Sequence, residues 1–159
     1  MLNIQIVCVG KLKEPYLEAG VKEYAKRLSK YCKLDILELP DEKIPNKLNE
    51  SLANEIKTKE CESIFRHLKK DAYVIALDLT GKEFSSEAFS EKIDKISMFS
   101  STITFVIGGS LGMTSDFLRF CQEKICFSKM TFPHPLIRIF LLEQLFRSFK
   151  ISNGETYHR

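Results

Sequence analysis

The chain closes on Tyr157, His158 and Arg159, so a phenol, an imidazole and a guanidinium fill its last three positions. Terminal residues tolerate change unless something ties them down. These three types together can hold a base, move a proton and bind a phosphate. Lys129, Arg138, Arg147 and Lys150 precede them. Arginine and aromatic groups at close quarters suit a splayed RNA base and its phosphates, although any one of these cations alone reads equally as part of a solvated face.

Three further stretches carry chemistry, and each follows an apolar run that reads as a strand. They are Leu77-Asp78 after "AYVIA", Gly108-Gly109-Ser110-Leu111-Gly112 after "ITFVI", and Phe127-Ser128-Lys129-Met130-Thr131-Phe132 after "KIC". In open α/β sheets, ligands sit outside the carboxyl ends of the strands. The glycines let backbone approach a ligand or turn with positive φ. They match neither G-x-G-x-x-G nor the phosphate-binding G-K-[ST] ending, and Gly109-Ser110-Leu111-Gly112 lacks the G-x-S-x-G spacing of a serine nucleophile. In "SKMTFPHPLIR", apolar side chains could hold a flat heteroaromatic ring while backbone groups read its edge. Met130 and Phe132 could equally pack beneath the following helix, and His134 reads as a first-turn residue. His67, His134 and His158 show no ligand spacing with cysteine or acidic residues, so no metal is expected.

The elements that must position these groups alternate along the chain. Strands are expected at "NIQIVCVG", "KLDILEL", "AYVIALDL", "STITFVIGG" and "KICFS". Between them lie a helix from about Glu14 with the stripe Leu17, Val21, Tyr24 and Leu28, and a charged helix carrying Leu52, Ile56, Ile64, Phe65 and Leu68. A third, capped by Ser85 or Ser86, presents Phe89, Ile93 and Ile96, and a short one begins near Ser115. Residues 41–49 read as a mobile loop, and Gly81-Lys82 as a turn. Such alternation predicts a mostly parallel sheet with helices on both faces. At 159 residues, with 44% hydrophobic and 28% charged content, one domain spanning residues 1–159 is expected. The net charge of +3 permits a nucleic-acid partner without requiring one. Five cysteines without a CxxC pair read as core thiols, and the absence of a long apolar run or a leader pattern points to a cytoplasmic protein.

The last helix, "PLIRIFLLEQLFRSF", is apolar nearly all round. Such a helix buries both sides, which favours a two-fold interface with a second copy over a central helix of the monomer.

With these residues in view, the sequence resembles the small ribosomal RNA large-subunit methyltransferase H family of the SPOUT superfamily. The likeness runs over essentially the whole chain, through "VGKLKE", "EYAKRL", "LDLTGKEFSSE", "FVIGGSLG", "SKMTFPHPLIRIFLLEQLFR" and "GETYHR". Departures at Ser148 and Thr156 are small. The resemblance implies an α/β fold with a C-terminal trefoil knot, a homodimer, S-adenosyl-L-methionine as methyl donor, and 23S rRNA in the assembled ribosome as substrate. The methylated atom would be ring nitrogen 3 of a pseudouridine. Cofactor contacts would fall on Leu77, Gly108, Phe127, Ser128, Lys129, Met130, Thr131 and Phe132. Tyr157, His158 and Arg159 are the expected catalytic residues, reaching the partner's pocket, and Arg138, Arg147 and Arg159 the expected RNA contacts. Two other classes fit parts of the sequence: a non-enzymatic RNA-binding α/β protein, and an enzyme using the glycine loop as an anion site for a phosphorylated metabolite.

Overall fold

The computed structural model describes residues 1–158 and builds them around one five-stranded sheet. The elements run β1 (Leu2–Val9), α1 (Pro15–Leu28), β2 (Cys32–Leu39), α2 (Glu50–His67), β3 (Tyr73–Glu83), α3 (Ser86–Ser97), β4 (Thr102–Ile107), α4 (Ser115–Phe120), β5 (Glu123–Cys126) and α5 (His134–Ser152). All pairings are parallel, in the order β2-β1-β4-β3-β5. Arg159 lies outside the described residues.

Side chains alternate across the sheet, and both faces are apolar. On one face Ile4, Ile6, Cys8, Ile75, Ile103, Phe105 and Ile107 meet Leu28 of α1, Phe89 and Ile93 of α3, and Leu141, Leu142 and Leu145 of α5. On the other, Val7, Val9, Val74, Ala76 and Val106 meet Cys61 and Ile64 of α2 and Phe117 of α4. Three helices begin where a side chain satisfies a free backbone N–H group, while α1 and α5 begin at a proline instead. Asn49 accepts from Leu52 N at 2.8 Å, Ser85 from Ala88 N at 3.1 Å, and Thr114 from Phe117 N at 3.1 Å. Ser86 instead donates to Gln144 of α5 at 2.7 Å. The five cysteines are free and buried, and burial pushes the Cys8, Cys32 and Cys121 thiols up to about 11, which makes them unreactive. Among the described residues no helix is long and apolar enough to cross a membrane.

One expected turn is absent. Rather than ending before Gly81-Lys82, β3 continues to Glu83, because Leu77 and Lys82 both pair with Ile125 across a register shift. The intervening residues are pushed out of the ladder, and Asp78 closes them locally by accepting from the Thr80 N–H at 3.0 Å and from its hydroxyl. Gly81 lets the strand return: a Cβ there would lie 2.6–2.8 Å from the backbone of Ile125.

A second expectation changes on α5. Arg138 was expected at RNA phosphate, yet it is 3% exposed, with Nη1 2.7 Å from Glu38 Oε2 and Nη2 donating to the carbonyls of Gly10 at 2.7 Å and Val9 at 3.3 Å. A guanidinium so enclosed pins the first turns of α5 to the ends of β1 and β2 and has no exposed face for a phosphate. The apolar girth of α5 is in good part explained within one chain. Leu141, Leu142 and Leu145 are fully buried, and Gly20 of α1 lets Ile139 approach to 2.9 Å of where a Cβ would sit. Phe140 and Ile139 on other sides of the helix are half-buried.

Two stability effects are expected. Gly81→Ala should lower the unfolding free energy by about 1–3 kcal/mol, because the clash is with backbone that has no rotamer to yield; urea titration followed by circular dichroism measures it. Arg138→Ala should cost about 2–3 kcal/mol by stranding the partly buried Glu38 carboxylate and two carbonyls. An unchanged urea midpoint would show that the clamp contributes nothing.

Candidate functional site

The three strand ends that the sequence marked out converge on one cleft of about 320 Å³. It lies at the carboxyl ends of β4 and β5 and at the register shift of β3, where the parallel sheet leaves backbone groups unpaired. Leu77, Gly108, Phe127, Ser128, Met130, Thr131 and Phe132 all line it, whereas Lys129 does not and is solvent-exposed. A volume at the small end of the ligand-pocket range, walled largely by apolar groups, suits a flat ring with a few polar contacts.

Each wall has a local cause. The register shift in β3 pushes Asp78, Leu79 and Thr80 into the cleft rim. After β4 the chain makes a tight loop in which Gly112 N donates to Gly109 O at 3.0 Å, and Gly112 takes φ of 82°. Gly108 is needed there, since a Cβ would come within 2.9 Å of Met113 Cγ and 3.3 Å of Gly112 C. The third wall, residues 127–132, has neither helix nor strand but is locally braced. Met130 N donates to Ser128 Oγ at 3.0 Å, and the Phe132 ring packs edge-on against Phe140 at 5.3 Å. Phe132 therefore both lines the cleft and packs on α5, so the two readings of that side chain are compatible. Met130 and Leu79, 73% and 58% exposed, stand at the mouth.

Sequence reasoning missed Leu79, Thr80, Met113 and Ile137 in this lining. His134 had read as a first-turn residue of the last helix; it is the first residue of α5 and lines the cleft as well. Ile137 could have been found from His134, because residues three apart share a helix face. Nothing in the sequence announces the register shift that brings in Leu79 and Thr80. Burial, and then the Arg138 charge, hold the His134 pKa below its ordinary value, which favours the neutral ring.

Residues 154–158 are tied to the body of the chain. Gly154, at φ 64°, turns the chain after α5, and Glu155 ties down through Lys150 and the Tyr31 hydroxyl. The Tyr157 ring then meets Phe146 edge-on at 5.0 Å, lies 4.7 Å from the Arg147 guanidinium carbon, and donates its hydroxyl to Glu143 Oε1 at 3.1 Å. Burial first, and then Glu143, raise the pKa of that phenol. His158 bridges Arg147 Nη1 at 3.1 Å and Glu87 Oε1 at 2.5 Å. The Glu87 carboxyl is held below its ordinary value, first by a backbone hydrogen bond and then by His158. Arg147 itself grips Glu143 through Nε at 3.1 Å and Nη2 at 2.7 Å, and that hydrogen bonding raises its pKa.

Tyr157, His158 and Arg147 thus form one network on the side of α5 facing α3, organised by Glu143, a residue the sequence reading passed over. Its signal was the Glu143/Arg147 spacing of four. None of the three lines the cleft of its own chain. Glu143 borders a neighbouring hollow that shares Phe127, Ser128 and Phe132 with the cleft. Among the described residues, no group of three or more His, Cys, Asp or Glu is placed to hold a metal ion.

Comparison with known proteins agrees with this geometry. A family model described as "Predicted SPOUT methyltransferase" matches residues 2–158. The chain is 54% identical to the ribosomal RNA large subunit methyltransferase H of Clostridium acetobutylicum, over 99% of this chain and 100% of that one. It is 52% identical to the protein of the same name from Clostridium tetani, with the same coverage. Its fold superposes with a TM-score of 0.57 on a probable methylase family protein from Haemophilus influenzae, at 13% identity, covering 99% of this chain and 71% of that one. A parallel sheet covered on both faces, a cleft at its strand ends and a family match along nearly its whole length together make this chain a member of the SPOUT methyltransferase family.

Proposed function

We propose that the protein transfers the methyl group of S-adenosyl-L-methionine to ring nitrogen 3 of a pseudouridine in 23S rRNA of the large ribosomal subunit, acting on the assembled ribosome. The observation that carries this reading is the convergence of three separate strand ends on one cleft, lined by residues that the methyltransferase resemblance assigns to the cofactor. The names of relatives about half identical over their full length supply the rRNA substrate class. One sheet covered on both faces supports a single domain over residues 1–159, and the ribosomal RNA named for its relatives supports action in the cytoplasm.

The residues suit this cofactor. Leu77, Ile137 and Phe127 offer apolar walls for an adenine ring, and the absence of side chains at Gly108 and Gly109 lets the loop backbone come close to its polar edge. S-adenosyl-L-methionine, when bound, supplies a methyl group on a sulfonium whose departure as a neutral thioether needs no acid. The cleft's part is alignment, since holding the reacting atoms in line removes much of the entropic barrier. The imide nitrogen of the base must lose its proton, and the resulting anion needs donors or cations beside it.

Tyr157, His158 and Arg147 supply those groups, with Arg159 beyond the described residues. Their separation from the cleft of their own chain supports a homodimer in which one protomer's tail completes the partner's cleft. Half-buried Ile139 and Phe140 and exposed Leu79 and Met130 offer apolar surface for that contact. His158 takes the proton at Nδ1 once Arg147, which donates to that nitrogen here, turns to face the anion or a phosphate. The expected knot belongs to the same reading, with residues 127–133 and α5 as the threaded part.

Titration calorimetry with S-adenosyl-L-methionine should show binding, and mass mapping of 23S rRNA from cells lacking the protein should show one methyl group missing from a pseudouridine. A complete modification pattern would rule the reading out. Deleting residues 157–159 should abolish methylation of ribosomes while leaving cofactor affinity within about threefold, because the tail holds the base rather than the cofactor. Full activity of the truncated protein would return the tail to a structural role.

A further inference from the structure

We infer that Glu60 is a positioning residue for the cofactor loop, setting where the backbone of Gly108 and Gly109 stands at the end of β4. This role rests on the reading of the cleft as the S-adenosyl-L-methionine site. Glu60 is on α2, 5% exposed, in a part of the molecule that the proposed chemistry does not otherwise use. An acidic side chain in such a place costs free energy unless its oxygens have partners. One of them does: Oε2 accepts from Glu42 N at 3.0 Å. The other abuts the glycine loop, with Oε1 2.7 Å from the position a Cβ on Gly109 would occupy.

Gly109 does not have a positive φ, so its backbone conformation would accept a side chain. What stands in its way is the Glu60 carboxylate, the end of a side chain that is itself buried and would have to shift. Gly108 differs, because its obstruction comes from Met113 and Gly112 within the same loop. The next residue of α2 holds the far end of the loop, where Cys61 Sγ accepts from Thr114 N at 3.4 Å. Two consecutive α2 residues therefore grip the loop at both ends, and Glu60 also carries the 41–49 segment through Glu42. Burial first, and Asp41 and Glu42 after it, raise the Glu60 pKa, while the Glu42 N–H lowers it. Behind the loop lies a second cavity of about 250 Å³ that holds Glu60 with Lys11, Lys13, Glu14, Asp41, Glu42, His134 and Arg138. Gly109, Ser110, Leu111 and His134 line both spaces, so the loop and His134 form the partition between them.

A partition held from behind predicts coupling between Glu60 and Gly109 in cofactor binding. The test measures S-adenosyl-L-methionine affinity by calorimetry, and kcat and KM on ribosomes, for the full chain and its variants. Glu60→Ala should weaken cofactor binding about tenfold or more and raise KM for the cofactor more than it lowers kcat, since loop placement acts on binding. Glu60→Gln, which keeps the volume and an acceptor oxygen, should recover most of the affinity. Gly109→Ala should weaken binding in the parent, and lose much of that effect when Glu60 is Ala or Asp, because either shorter side chain clears the space. Non-additivity of this kind is what contacting residues show, and a bulk loss of stability does not produce it. The Asp background keeps the test open should Glu60→Ala fail to fold. Parent-like affinity in Glu60→Ala, or additive effects of the two sites, would overturn the role of Glu60 alone. Failure of the parent to bind S-adenosyl-L-methionine would overturn the cofactor reading itself, and the role of Glu60 with it.

Discussion

The Arg138 guanidinium, enclosed between Glu38 and the carbonyls of Val9 and Gly10, fixes the start of α5 on the ends of β1 and β2. The functional features depend on that placement. Residues 127–133 enter α5 and form one wall of the cleft, and Gly154 to His158 leave it and form the tail network. A shift of the helix would move both. Leu141, Leu142 and Leu145 add the apolar contact that seats the helix between α1 and α3, but apolar burial is non-directional and does not choose a register. The ion pair and its two carbonyl bonds do choose one, because a planar guanidinium satisfies its acceptors in few orientations.

The same helix carries the opposite use of arginine. Arg147 is about two and a half turns from Arg138, which puts it on the other side at 3.6 residues per turn. There it holds Glu143 on one side and His158 on the other, with the Tyr157 ring stacked beneath. Its side chain is 25% exposed, so a charge at this place keeps contact with solvent and can meet an anion. Two guanidiniums in one helix thus do different work according to what surrounds them. The order of cleft wall, buried clamp, exposed arginine and tail along a single segment puts the cleft wall and the tail network at opposite ends of one helix.

The cleft owes its shape to three departures from regular structure. The register shift at Leu77 and Lys82, the glycine turn from Gly108 to Gly112, and the braced segment 127–132 all sit at the carboxyl edge of the sheet. Each is held from outside its own segment: Ile125 lies against Gly81, Glu60 against Gly109, and Phe140 against Phe132. A cleft assembled in this way keeps its walls in place even though they carry little regular hydrogen bonding of their own.

Much of this was legible in the residues. The period of two in "NIQIVCV" and "STITFVI", the stripe from Leu17 to Leu28 and the cap before α3 are set by neighbours in sequence, so the alternation of strands and helices and the parallel sheet could be read directly. So could the three segments that line the cleft, at Leu77-Asp78, Gly108–Gly112 and Phe127–Phe132, since strand ends are where an open sheet leaves room for a ligand. The inward or outward sense of Arg138 and Arg147 could not be read, because α5 is apolar nearly all round and has no polar side to mark which arginine faces the core. Nor could the continuation of β3 through Gly81-Lys82, the Glu143 network or the contact of Glu60 with Gly109. Each joins residues far apart in the chain or turns on a backbone spacing. Such contacts exist only once the sheet has brought its edges together, and so tertiary structure alone decided them.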